Sequence, residues 1–283
     1  MSLTTITVLC ENRAGGLIGI TGEHGFAALI EKDDRKILLD TGQGMTLKTN
    51  ADALGKPLSQ VSTVVISHGH YDHTGGLPQV LAPPRGVEII AHPDIFTEKY
   101  AQLPSAQGPL TFHIGIRFQK AFLEGGLGAR FNFQTRFTEI SPGIFFSGEV
   151  PRVTDFERPD SMLKVKQGDV LVDDPLLDDA SLLIETDSGP VILTGCAHAG
   201  IVNTMEHFRE KTGHTRFHAV IGGTHLGFMG ISPQLEKSLD AFERFGVDLI
   251  AVSHCTGNEA AAICYNRFKD RFAFANAGWT RSF

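Results

Sequence analysis

Ser67-His68-Gly69-His70-Tyr71-Asp72-His73-Thr74-Gly75-Gly76 places three imidazoles and a carboxylate within six residues, directly after the apolar, β-branched run Val61 to Ile66. Neutral imidazole is the commonest protein metal ligand and carboxylate suits harder divalent cations, so the mixed set reads as a centre for zinc, iron or manganese. Side chains two residues apart on an extended segment face the same way. His68 and His70 can therefore converge on one ion while Asp72 and His73 turn to a second. Thr74-Gly75-Gly76 then allows a tight turn into a short helix, since glycine accepts backbone angles that other residues resist. The bland alternative is a polar turn with solvated histidines, and the order and spacing argue against it.

A His-x-His-x-Asp-His loop after a strand resembles that of the metallo-β-lactamase fold hydrolases, and here it is complete at His68, His70, Asp72 and His73. The resemblance continues upstream in Lys36-Ile37-Leu38-Leu39-Asp40-Thr41-Gly42, similar to the family's apolar strand ending in Asp-x-Gly. It implies that Asp40 orients the histidine loop by hydrogen bonding. Standing alone, Asp40 would read as an ordinary turn residue closing a strand. The implied fold is α/β, a four-layer αββα sandwich with metals at one sheet edge.

Composition agrees with one enzyme domain. A chain of 283 residues with 42% hydrophobic content can bury a sizeable core, so a single domain over 1–283 is expected, with a lid insertion at about 100–140. No segment approaches the length of a membrane span, and Met1-Ser2-Leu3-Thr4 lacks a basic region followed by an apolar stretch and cleavage site. A soluble, cytoplasmic protein without a membrane partner is the expectation. Cys10, Cys196, Cys255 and Cys264 show no Cys-x-x-Cys spacing, which fits a reducing compartment. The formal charge of −7 argues against nucleic acid and leaves room for a small anionic substrate. Arg117, Lys120, Arg130 and Arg136 lie among aromatic residues around Glu124-Gly125-Gly126-Leu127-Gly128. This stretch reads either as a phosphate-binding lid or as a surface insertion with solvated charges. Its glycines lack the order of a dinucleotide fingerprint, so neither flavin nor nicotinamide is expected.

Ile6 to Leu9, Ala27 to Ile30, Lys36 to Leu39 and Val61 to Ile66 read as strands, the first three antiparallel. Ile201, Met205 and Phe208 recur at helical spacing before Gly213, and Ser232-Pro233 opens a second helix carrying Leu235, Leu239 and Phe242 and ending at Gly246. Both stripes read as core. The strand ends Leu38-Leu39-Asp40-Thr41-Gly42 and Val65-Ile66-Ser67-His68 are echoed by Ile192-Leu193-Thr194-Gly195 and Ala251-Val252-Ser253-His254. The echo suggests two similar halves facing each other.

Four donors cannot complete two sites, so the second half must add others. Thr194-Gly195-Cys196-Ala197-His198, Gly222-Gly223-Thr224-His225 and Ser253-His254-Cys255-Thr256 each place a histidine after an apolar strand. His198 is expected to complete the His68/His70 ion. His254 matches the family's last histidine, which implies that it completes the Asp72/His73 ion. Many members of the family carry Thr-Gly-Asp where this chain has Thr194-Gly195-Cys196, the aspartate bridging both metals. The bridge is thereby left open between Cys196 as thiolate, His198 in its place, and Asp178 or Asp179 from the preceding hairpin. A buried, inert cysteine is a further alternative. His225 is assigned to substrate or to the leaving oxygen rather than to a metal, with a satisfied histidine beneath the site as the competing role.

These later motifs, with Glu11-Asn12 and Glu23-His24-Gly25, resemble a subgroup of metal-dependent hydrolases related to a dihydropterin ribofuranosyl aminobenzene phosphate synthase, over about Ile6 to Trp279. The expected activity is hydrolysis of a phosphoester or phosphodiester by water activated between two divalent ions, zinc foremost and iron or manganese also fitting, with Asp72 and His225 acting in catalysis. The alternatives are a pterin-pathway phosphoribosyl-type synthase using the same ions and a non-catalytic metal or ligand sensor.

Overall fold

On the strand Ala27–Lys32, Ala28 and Ile30 enter one hydrophobic cluster while Ala27 and Leu29 enter another. On Arg35–Leu39 the split repeats, Ile37 and Leu39 going with the first and Leu38 with the second. In the second half Val191 and Leu193 join that same first cluster, whereas Ile192 joins a third. Period-two alternation with both faces apolar requires cover on both sides of each sheet. The shared cluster lies between two sheets, and the other two lie beneath helices on the outer faces. The result is a four-layer αββα sandwich, as the sequence implied. A computed structural model describes residues 3–227 and 232–283, leaving Met1 and Ser2 of the N-terminal reading outside the described residues.

Each main sheet has seven strands. The first runs Thr280–Ser282, Thr5–Cys10, Ala27–Lys32, Arg35–Leu39, Thr63–Val65, Glu88–Ala91 and Arg130–Phe133, antiparallel as far as Arg35–Leu39 and parallel beyond it. The second runs Thr138–Ser141, Ile144–Phe146, Ser181–Ile184, Val191–Thr194, Ala219–Gly223, Leu249–Ser253 and Phe272–Phe274, antiparallel as far as Val191–Thr194 and then parallel. The echoed motifs thus close corresponding parts of two sheets built on one plan. The chain ends by crossing back to pair Thr280–Ser282 with Thr5–Cys10.

The expected helices form over Ile201–Thr212 and Pro233–Arg244, with Ile201, Met205 and Phe208 on one and Leu235, Leu239 and Phe242 on the other buried in the outer cluster. Gly213 ends the first in a left-handed conformation that glycine adopts without penalty. Among the described residues no helix is long and apolar enough to cross a membrane.

The stretch 100–140 divides among three sheets, its end entering the second main sheet as Thr138–Ser141. Lys99–Leu103 and Leu110–His113 join Leu163–Gln167 and Val170–Asp173 in a separate four-stranded antiparallel sheet, while Arg130–Phe133 becomes the edge of the first main sheet. The small sheet is tied to the histidine loop by Tyr71 N, which donates to Ile114 O at 2.8 Å.

Candidate metal centre

Strand Arg35–Leu39 delivers Asp40 fully buried. Its carboxylate accepts the Ser67 backbone N–H, the Ser67 hydroxyl and the His73 Nδ1–H, each at 2.7 Å. With its hydrogen given to Asp40, Ser67 Oγ accepts from His68 Nδ1 at 2.9 Å. One carboxylate therefore fixes the ring orientation of two histidines, leaving Nε2 of His68 and His73 directed into the site. The second sheet closes directly over this network, since a Cβ at Gly195 would lie 2.1 Å from Ser67 Oγ.

Gly75 and Gly76 serve the loop differently from the expectation. Their φ values are −65° and −85°, which any residue adopts. Close approach is what excludes a side chain: a Cβ at either would stand 2.2 Å from a backbone oxygen, that of Gln43 for Gly75 and of Thr41 for Gly76.

His68 Nε2 lies 2.9 Å from His70 Nδ1, and the His198 ring is 4.8 Å and 5.1 Å from theirs. The donor atoms of these three all fall within 4.8 Å of one another. Burial holds His70 down at about 3, and it holds His68 and His198 well below the usual imidazole value, so all three rings stay neutral with free lone pairs. His198 Nε2 is buried without a hydrogen-bond partner among the described residues. A metal ion is what such an orphaned acceptor fits.

A second grouping joins Asp72, His254 and His24, with Asp72 Oδ2 3.3 Å from His254 Nε2 and 3.1 Å from His24 Nε2. Burial opposes ionisation of Asp72, yet His73, His24 and His254 outweigh it and hold its carboxyl well below the usual range. His254 is presented by a left-handed backbone at φ 49°, its N–H donating to Glu11 Oε1 at 2.6 Å. Its Nδ1 lies 2.8 Å from Asn12 Oδ1, an atom that also accepts Gly25 N and is therefore the amide oxygen. His254 thus carries its proton on Nδ1, and Nε2 is the donor atom.

Cys196 belongs to two further groupings, His68/His73/Cys196 and Cys196/His254/Cys255, with its sulfur 3.3 Å from His73 Nε2. The thiol sits between the donor sets, and burial pushes its pKa up. The other bridge candidates hold loop backbone, and Asp179 keeps its buried Oδ1 without a hydrogen-bond partner among the described residues. Asp178 accepts the Gly69 N–H at 2.8 Å and pairs with buried Lys99 at 2.9 Å; Asp179, raised to about 7 by burial, accepts the Ala199 N–H at 2.8 Å. They fasten the loops of His70 and His198 from behind. His254 meets Asp72, and His73 Nε2 lies 3.8 Å from Asp72 Oδ2; His24 joins the Asp72/His254 grouping, and His73 also groups with His68 and Cys196. His24 is the member of this grouping that sequence reasoning did not place. The Glu23-His24-Gly25 motif carried the signal, but as a family likeness rather than a ligand, because it lies far from the histidine loop in sequence.

The groupings open into a cavity of about 430 Å³. Leu103, Phe112, Ile114, Met162 and Leu163, from the small sheet and its flanks, make an apolar wall, and Tyr71 and Arg117 stand together on it with the guanidinium 4.6 Å from the ring centroid. Of the basic residues singled out in the sequence, Arg117 lines the cavity. Lys120 faces Glu124 at 3.5 Å and Arg130 donates to Gly86 O at 2.8 Å. His225 also lines the cavity, outside the four groupings, 3.7 Å from Asp160 and with its ring 4.4 Å from that of His198. Burial disfavours its charge, but Asp160 and Cys255 prevail and raise it to about 9.

With a four-layer sandwich and histidine clusters at the sheet edge in place, residues 20–254 match the family model of the Metallo-beta-lactamase superfamily, and the chain belongs to that superfamily. It is 30% identical to the 7,8-dihydropterin-6-methyl-4-(beta-D-ribofuranosyl)-aminobenzene-5'-phosphate synthase of Methanocaldococcus jannaschii, over 96% of this chain and 94% of that protein. Its structure is similar to that of Tm1679, a metal-dependent hydrolase of the beta-lactamase superfamily, with a TM-score of 0.81, 28% identity and 98% of each chain covered. Zn(2+)-bound PqqB from Methylobacterium extorquens shares the fold at a TM-score of 0.54 and 12% identity, with 99% of this chain and 100% of that chain covered.

Proposed function

We propose that the chain is a metal-dependent enzyme that holds two divalent ions and cleaves a small phosphoester or phosphodiester. The observation that carries this reading is the convergence of neutral histidines, Asp72 and a thiol on one cavity that also contains a single arginine and an apolar wall. Zinc suits nitrogen and sulfur donors best among the common divalent ions, and iron or manganese suits the histidine and carboxylate part. Bound ions supply a lowered pKa for water and neutralisation of developing negative charge.

The chain's own residues supply the rest. His68, His70 and His198 would hold one ion, and Asp72, His73 and His254 the other, with Cys196 between them. Asp40 keeps the loop histidines in the orientation that binds. Arg117, stacked on Tyr71, meets the anionic group of a substrate whose apolar part lies along Phe112 and Met162. His225, held by Asp160, is placed to donate a proton to the leaving oxygen. Buried, free cysteines fit a reducing, cytoplasmic setting.

The test is metal analysis of protein purified without chelator, followed by a panel of phosphodiesters, phosphomonoesters, thioesters and lactones. Two ions per chain with turnover of a phosphate ester supports the proposal. Efficient lactone or thioester hydrolysis without phosphate-ester turnover overturns the substrate class. A second reading, a synthase condensing a phosphorylated sugar with an aromatic partner, is favoured by the likeness to the archaeal synthase over nearly the whole chain. Release of diphosphate that depends on a second, aromatic substrate would select it.

A further inference from the structure

We infer that His24 is a ligand of the ion held by Asp72 and His254. This rests on the dinuclear reading and adds to it a donor that neither the histidine loop nor the second-half motifs contain. His24 Nε2 lies 3.1 Å from Asp72 Oδ2, which is 3.3 Å from His254 Nε2, and all three donor atoms lie within 4.8 Å of one another. One carboxylate oxygen and two imidazole nitrogens make a set that binds a divalent transition ion while leaving positions open for substrate.

The placement of His24 is built into the backbone. Gly25 N donates to Asn12 Oδ1, the same atom that sets the tautomer of His254, and Phe26 N donates to Asp72 O at 3.2 Å. On the other side Glu23 N donates to Glu11 O at 2.9 Å, and Glu11 holds the His254 N–H through its carboxylate. The segment carrying His24 is thus fastened to the groups that position the other two donors. Gly25 takes φ 143°, and a Cβ there would lie 2.4 Å from Asp72 O, so a larger residue would push His24 away from the pair. The His24 side chain is 46% exposed and lines the cavity, on the solvent side of the buried Asp72 and His254.

A competing role makes the opposite prediction. Were His24 only a cation paired with Asp72, it would compete with the metal, and removing it would tighten ion binding. The experiment is calorimetric titration of chelator-treated full-length protein with Zn2+, with Co2+ in parallel to read the coordination spectrum. His24→Ala is expected to weaken the second binding event by about tenfold or more, to alter the cobalt spectrum, and to leave the first event unchanged. His24→Asp and His24→Cys, which restore a donor atom, are expected to recover much of that affinity. Second-ion affinity in His24→Ala equal to or tighter than in the parent chain overturns the inference while the dinuclear reading stands. A parent chain that takes up only one ion overturns both.

Discussion

Asp40 Oδ2 stands 2.7 Å from His73 Nδ1 across 33 residues of sequence, and the same carboxylate also reaches His68 through the Ser67 hydroxyl. Both rings depend on acceptor-only chemistry at Asp40, because each proton parked on Nδ1 frees the opposite nitrogen for a metal.

Asp40→Asn keeps the shape and adds an amide donor where hydrogens already point. The expected outcome is a loss of metal affinity of about 10- to 100-fold with the fold retained. Metal content by mass spectrometry and far-ultraviolet circular dichroism check it. Unchanged affinity would show that the histidines orient themselves.

His198 and His225 have rings only 4.4 Å apart, yet different roles are expected of them. His198→Ala should lower metal content. His225→Ala should keep both ions and lower turnover by about 100-fold or more, the range for loss of a proton donor. Paired metal analysis and kinetics separate them, and exchange of the two phenotypes would mean that the roles are exchanged.

Arg117 contacts the cavity and not the donor groupings, so Arg117→Ala should raise KM for an anionic substrate by about tenfold with little change in kcat, as expected for lost charge-assisted binding. The defect should shrink at high ionic strength, where the parent enzyme also loses this attraction. A fall in kcat with KM unchanged would instead place Arg117 in the chemical step.

Metal-free protein should lose stability as pH falls below about 6.5. His70 binds its proton only near 3 in the folded state, and His68 and His198 are also depressed, so the unfolded chain holds more protons across that interval and stability declines toward acid. Asp179, raised to about 7, and Glu157, raised by burial, work the other way, while His207 is depressed by burial like the other three histidines. His73 and His225, raised to about 9, are protonated in both states there and do not oppose the trend. Thermal melts of chelated protein from pH 7 to 4 test this; a rising melting temperature would contradict it.

Much was legible along the chain because it is written in short-range chemistry. Strand alternation, the helical stripes before Gly213 and Gly246, the strand-to-loop histidines and the superfamily likeness all depend on residues within a turn or a strand of one another. Asp40 could be read as an orienting group only through the family resemblance, since alone it reads as a turn residue; the structure adds that its strand pairs with Thr63–Val65, which leads into the histidine loop.

The partnerships between distant donors were decided only by the tertiary structure. Nothing in the spacing of Glu23-His24-Gly25 brings His24 to Asp72; the backbone bonds of Gly25 and Phe26 do. Asp178 looks like a ligand in sequence, but the Gly69 N–H and the Lys99 ammonium take its two oxygens, while Asp179 gives one oxygen to the Ala199 N–H and keeps the other without a hydrogen-bond partner among the described residues. The basic stretch, which in sequence reads either as a phosphate-binding lid or as a surface insertion, folds partly into the small sheet and partly into the edge strand of the first main sheet, which leaves Arg117 facing the cavity while Arg130 donates to Gly86 O. Local sequence determines which residues are able to bind a metal, since that is a property of each side chain. Which of them share an ion depends on how two sheets meet at their edges, and that is a property of the folded chain.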